Sequence, residues 1–140
     1  MLLLTALLDR GSSPVEKFLK GLADIQTKRG VVLSVVQCCI MHELGKAARL
    51  YEDGEAKTDA VPLHYIQEKY NLERYTISRN AVMLTKDSFK DKRAPDKKRE
   101  GKGWVKNVPV EETYGDAPDS RHRAIKLTKK GRDIADLMFR

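Results

Sequence analysis

The chain has 140 residues and a formal net charge of +7. With 41% hydrophobic and 34% charged residues, it has enough apolar material for a core, which excludes wholesale disorder. No apolar run approaches the roughly 20 residues of a membrane-spanning helix, so we expect no membrane partner. The two cysteines, Cys38 and Cys39, are adjacent and provide no disulfide framework, which is typical of a cytoplasmic protein.

The charge is distributed unevenly along the chain. Residues 1–70 contain 9 basic and 9 acidic residues, whereas residues 71–140 contain 18 and 11. The whole positive excess therefore lies in the second half, which is typical of a protein with one surface that meets a polyanion. A solvated face that keeps the protein soluble is an equally good explanation of the charge alone.

Capping signals mark two helices in the first half. Ser13 is a good N-cap for a helix over 14–28, which a following glycine ends. Ser34 and Gln37 form a capping box, and they predict a second helix that continues to a polar loop near Glu52. Both helices have apolar residues at helical spacing.

Two shorter helices follow. One is predicted from Val61 or Pro62 to about Tyr70, and the next begins near Glu73. Asn71 lies between them, and asparagine tolerates the left-handed backbone of a tight turn. This pattern predicts a helix–turn–helix. The residues of its second helix that we expect to face the core are Ile77, Ala81 and Leu84.

The second half then changes to strand periodicity. The stretch 85–103 contains 8 basic and 4 acidic residues, and we expect a solvated extension of the preceding helix or a flexible loop. A strand is predicted over 104–110, at a sheet edge because of Pro109, and another over 121–128, with alternating faces. Together they form a β-hairpin, after which Thr128 caps a last helix.

Three motifs in this order resemble those of a known family. Asp119-Ser120-Arg121, followed after five residues by Leu127-Thr128-Lys129-Lys130-Gly131, resembles the wing signature of the MarR family of winged helix–turn–helix transcriptional regulators. The segment 72–79 is similar to the opening of the family's recognition helix. Leu33-Ser34 with Gln37 is similar to the start of its second helix.

The resemblance covers residues 31–139 and implies a mainly α-helical α+β fold with a small β-hairpin, the winged helix–turn–helix. It divides the chain into an N-terminal arm and dimerisation helix (1–30), a DNA-binding domain (31–128, with a charged insertion at 85–103) and a short C-terminal helix (129–140). It implies a homodimer that binds a palindromic double-stranded DNA site at the nucleoid. The expected role is regulation of transcription, with repression preferred to activation.

The side chains expected to contact DNA lie on the second helix of the helix–turn–helix and on the wing. In the major groove arginine binds guanine, asparagine binds adenine and the threonine methyl meets thymine. Arg121, oriented by Asp119, is expected to enter the minor groove. The full set is Tyr75, Thr76, Ser78, Arg79, Asn80, Lys86, Asp119, Arg121, His122 and Arg123. The alternative interpretation is that these are ordinary polar residues on a solvated surface.

Surplus apolar residues predict a dimer interface. The expected residues are Leu3, Leu7, Phe18, Leu22, Leu137 and Met138, and packing within one chain is the alternative for each.

Other functions are also compatible with the sequence. They are a winged-helix module that docks on the transcription machinery and a non-specific DNA-architectural protein. No enzyme motif is found in the sequence. The closest candidate is His42–Lys46, which begins like a zinc-protease motif but has lysine at the position of the second histidine. We therefore expect no metal and no cofactor. Members of the family often respond to small phenolic or anionic ligands, but the sequence identifies no pocket for an effector.

Replacing Arg121 by alanine is expected to abolish most of the specific affinity for duplex DNA, because a minor-groove arginine contributes both charge and shape recognition. Fluorescence anisotropy on a selected duplex measures this, and an unchanged affinity would contradict the prediction.

Overall fold

The computed structural model describes residues 13–86, 88–91, 94–109 and 123–139, and for 88–91 and 94–100 the backbone alone. This part of the protein is mainly helical, with a small three-stranded antiparallel sheet and a separate two-stranded hairpin. The predicted α+β class is thereby confirmed. Five residues of the predicted sites lie outside the described ranges: Leu3, Leu7, Asp119, Arg121 and His122.

Five helices and five strands lie in the described ranges. The helices are α1 (Pro14–Arg29), α2 (Val35–Glu52), α3 (Leu63–Lys69), α4 (Arg74–Leu84) and α5 (Lys129–Phe139). The strands are β1 (Val61–Pro62), β2 (Ser88–Asp91), β3 (Ala94–Glu100), β4 (Val105–Val108) and β5 (Ala124–Leu127). None of these helices has the length and apolar character that crossing a membrane requires.

The ends of α1 and α2 follow the predicted capping signals. Ser13 Oγ accepts a hydrogen bond from the Glu16 backbone at 3.2 Å, and Gly30 ends α1 in a left-handed conformation. At α2, Ser34 Oγ accepts from Gln37 N while Gln37 Oε1 accepts from Ser34 N, both at 3.1 Å. Such caps stabilise a helix by about 1 kcal/mol each, because they satisfy backbone donors that have no partner within the helix.

The predicted two-stranded hairpin is part of a larger sheet, which has a third strand. Its order is β1-β5-β4 with antiparallel neighbours. Val61 and Pro62, predicted to open α3, form β1 opposite Ile125 and Ala124. Strand β5 is therefore central, and Ala124 and Ile125, which lie on its two opposite faces, are both fully buried. Strand β4 lies at the sheet edge, as predicted, but it ends at Val108 and does not continue through Pro109 to residue 110.

The stretch 85–103 is neither of the two predicted forms. Its strands β2 and β3 pair as an antiparallel hairpin with an irregularity at Lys90/Asp91. Backbone hydrogen bonds of 2.9–3.1 Å connect the base of this hairpin to the end of α4: Lys102 N to Met83 O, Gly103 N to Thr85 O and Trp104 N to Leu84 O. Backbone pairing requires no apolar periodicity, which is why the charged composition concealed it.

All five helices contribute to one core with the three-stranded sheet. Its fully buried large side chains include Ile25, Ile40, Met41, Leu44, Ile66, Ile77, Leu84, Ile125 and Ile134. Met138, predicted at the dimer interface, is 1% exposed and packs in this core. Phe18, predicted there too, stacks on Phe139 of the same chain with ring centroids 5.4 Å apart. The first helix is therefore integrated into the core.

Gly131, near the start of α5, lies against the backbone of Trp104, the residue that precedes β4. A Cβ atom at this position would overlap the carbonyl oxygen of Trp104, a backbone atom. Thr128 sets this approach, because its Oγ1 caps α5 by accepting from Gly131 N at 3.1 Å and donates to Gly103 O at 2.8 Å. Gly131 thus has a packing function in this chain.

Replacing Gly131 by alanine is expected to lower the free energy of unfolding by about 2–3 kcal/mol, because backbone must shift to admit the methyl group. The matched control is Gly45→Ala in α2, where the new Cβ would lie 3.4 Å or more from its neighbours. That change is expected to be neutral or stabilising by up to about 1 kcal/mol. Urea unfolding measures both, and equal losses would contradict the explanation.

Candidate nucleic-acid interface

Helices α3 and α4 are joined by a tight turn, and their apolar faces meet. Asn71, in this turn, has φ of 53°, the left-handed conformation that the sequence predicts. The turn is closed by a hydrogen bond of 2.9 Å from Leu72 N to Gln67 O. The three residues predicted to face inward from α4, namely Ile77, Ala81 and Leu84, are all buried.

A buried carboxylate connects the end of α3 to α2. Glu43 is 3% exposed, and it accepts hydrogen bonds from Lys69 Nζ and Tyr70 Oη, each at 2.8 Å. Burial by itself raises the pKa of Glu43, but these two hydrogen bonds and the charges of Lys46 and Lys69 outweigh it and lower the pKa. Burial and the bond to Glu43 raise the pKa of Tyr70 to about 12. The turn that precedes α4 is thus anchored on α2.

The outward face of α4 carries four of the ten predicted DNA contacts. Tyr75 is 65% exposed, and the partly exposed residues beside it are Thr76, Ser78 and Arg79. Asn80 has a different role, because its Nδ2 donates to Thr76 O at 2.8 Å and its Oδ1 accepts from Ser34 Oγ at 2.9 Å. Both polar atoms of Asn80 bind within the protein, and the bond to Ser34 connects α4 to the start of α2.

Arg123 connects α4 to the three-stranded sheet. Its guanidinium donates to Ser78 Oγ at 3.2 Å and to Asn107 Oδ1 at 2.8 Å. Its carbonyl accepts a hydrogen bond of 2.8 Å from Leu63 N, at the start of α3. The partly exposed Arg123 therefore has a bridging role that the sequence analysis missed, together with its partner Asn107.

Lys86 is not brought together with the other predicted DNA contacts. It follows the C-terminal end of α4, about three helical turns or roughly 15 Å from Tyr75. Its side chain lies along Gly103, where its Cγ is 3.2 Å from the place a Cβ would occupy. Lys86 is thus part of the base of the β2–β3 hairpin.

The reactive side chains of α2 lie beside a groove. Burial, and then the neighbouring Cys39, raises the pKa of Cys38 to about 11, so the thiol stays protonated at neutral pH. His42 packs edge-on against Phe139 with centroids 4.9 Å apart. Both line a mainly apolar groove of about 650 Å³ between α1, α2 and α5. Among the residues described, no three His, Cys, Asp or Glu are grouped to bind a metal ion.

Comparisons of the chain with protein-family models, with curated proteins and with solved structures give no match. The resemblance to the MarR family therefore depends on the motifs quoted above, and the functional conclusion depends on the geometry.

Replacing Glu43 by glutamine is expected to lower the free energy of unfolding at neutral pH by about 1–2 kcal/mol, at the lower end for a charged hydrogen bond because Lys69 is partly exposed. The pKa of Glu43 is lowered in the folded state from its ordinary value of 4.5. Its contribution to stability is therefore complete above that value and is lost as the pH falls through the folded-state pKa.

The stability difference between the wild type and Glu43→Gln should accordingly shrink in acid, which urea unfolding at a series of pH values measures. Glu55→Gln, in the exposed loop after α2, is the matched control and should change stability by less than about 0.5 kcal/mol. A difference that is independent of pH would contradict the assignment of this carboxylate.

Proposed function

We propose that this chain is a sequence-specific double-stranded DNA-binding protein of the winged helix–turn–helix type. The observation that carries the proposal is the pair α3–turn–α4 followed by the strands β4 and β5 in a sheet of order β1-β5-β4. Arg123, directly before β5, binds Ser78 of α4 and Asn107 of β4, so this end of the sheet lies beside α4. A helix next to the end of a β-hairpin suits a major groove and its flanking minor groove.

The outward face of α4 has the chemistry for contact with bases. The arginine in this face is suited to guanine, and the methyl group of Thr76 to the methyl group of thymine. Tyr75 offers a hydroxyl to a phosphate oxygen. The positive excess of residues 71–140 adds affinity through the release of counterions, so binding should weaken steeply with salt.

We further propose that the protein acts as a homodimer that regulates transcription at the nucleoid, as a repressor by preference. The packed helices α1 and α5 both present large exposed apolar residues, of which Leu19 and Leu137 are 53% and 51% exposed. Of the predicted dimer contacts that the structure describes, Leu137 is exposed, and Phe18 and Leu22 are partly buried against the core. A two-fold dimer would space two copies of α4 by about one turn of DNA, and so favours a palindromic site.

Replacing Tyr75 by alanine is expected to weaken specific duplex binding about tenfold, the usual loss for one contact on a recognition helix. Tyr51→Ala is the matched control, because Tyr51 is 50% exposed at the far end of α2, and its loss should change affinity less than about twofold. The duplex is selected from a random pool, where a palindrome should be enriched, and affinities are measured by fluorescence anisotropy.

Three outcomes would contradict the proposal. A flat affinity across unrelated duplexes would indicate a DNA-architectural protein. A discrete protein partner captured without any preference for duplex DNA would indicate an interaction module. Equal effects of the two tyrosine substitutions would remove α4 from the interface.

A further inference from the structure

A cationic pocket lies near the end of the sheet where Val105 pairs with Leu127, opposite to the end at Val108 and Ala124. Its volume is about 340 Å³, and it is lined by Arg29 from the end of α1, Val31, Lys102, Trp104 and Lys130 from the start of α5. Three of the lining residues are cations. None of the described lining residues is a carboxylate, so the positive charges of the lining have no negative partner among them.

Lys102 is held in the pocket by its backbone and by an aromatic ring. Its N–H donates to Met83 O at 3.1 Å, and its Nζ lies 5.8 Å from the centre of the Trp104 ring. Trp104 is only 3% exposed, so the ring supports the lysine and is closed to stacking with a ligand. Burial lowers the pKa of Lys102, which means that its charged form is incompletely solvated.

Lys130 is also placed unfavourably for a cation. It lies in the first turn of α5 beside Lys129, and this turn contains no acidic residue. The N-terminus of a helix carries a partial positive charge, which favours anions and disfavours lysine. A bound anion would offset both the unfavourable position of Lys130 at the helix N-terminus and the incomplete solvation of Lys102.

We infer that this pocket binds a phosphate group. Arginine and lysine together are the usual ligands of phosphate oxygens, because they combine charge with several hydrogen-bond donors. The volume suits inorganic phosphate or the phosphate end of a small phosphomonoester, and a phosphate of a DNA backbone has the same chemistry. The inference goes beyond the proposed function, since the pocket and Tyr75 lie at opposite ends of α4.

The pocket contains its own reporter, because Trp104 is the single tryptophan of the chain. Inorganic phosphate, glycerol 3-phosphate and a short DNA duplex are each titrated into the whole protein at constant ionic strength, with chloride as the balancing salt. A saturable change in tryptophan emission is expected with phosphate and glycerol 3-phosphate if the source is a free anion, and with the duplex alone if it is DNA. The absence of a saturable change with all three overturns the inference.

Matched variants separate the pocket from the general positive field. Lys130→Gln and Lys129→Gln remove the same charge from adjacent positions of α5, but only Lys130 lines the pocket. Lys130→Gln should weaken the saturable titration at least about tenfold, as expected for a lost charge-assisted hydrogen bond, and Lys129→Gln less than about twofold. Equal weakening in both variants overturns the inference.

Lys102→Gln provides a second test of the same site and should also weaken the titration at least about tenfold. Circular dichroism checks that each variant is folded. If a variant fails to fold, the titrations of the wild-type protein still decide the question. Because phosphate titration requires no DNA, its result is independent of the duplex-binding experiment.

Discussion

The hydrogen bonds from Lys69 and Tyr70 to the buried carboxylate of Glu43 determine how α3 lies on α2, and the position of α4 follows from them. Tyr70 ends α3, and the turn at Asn71 begins directly after it. A buried carboxylate that loses its donors is strongly destabilising, so the three residues act as one unit. The ion pair and the phenol therefore fix where α4 begins, and its hydrogen bonds to Ser34 and Arg123 then fix which residues it presents to solvent.

The three-stranded sheet connects α4 to the rest of the molecule, and different contacts hold its two ends. At one end Arg123 connects α4 to β4 through Ser78 and Asn107. At the other end Thr128 caps α5, and the missing side chain of Gly131 lets α5 approach the Trp104 carbonyl. The proposed DNA surface and the cationic pocket are separated because they are built on these opposite ends.

The tertiary structure also redistributes the charge that the sequence divides in two. By residue count the first half is neutral and the second half carries the excess. The pocket nevertheless combines Arg29 from the neutral half with Lys102 and Lys130 from the basic half. The three cations of the pocket thus come from segments that are far apart in the chain, and no short stretch of sequence includes all of them.

Residues close together in the chain suffice to predict the caps at Ser13 and Ser34, the turn at Asn71 and the inward face of α4. These features follow from hydrogen bonds and side-chain spacing within a few residues. The folded structure is needed to establish the strand at 61–62, the hairpin within 85–103, the place of Met138 in the core and the hydrogen bond between Asn80 and Ser34. Each of these features depends on a partner that is remote in the chain, or on backbone pairing that needs no alternation of apolar side chains. Neither can be predicted from a short stretch of sequence.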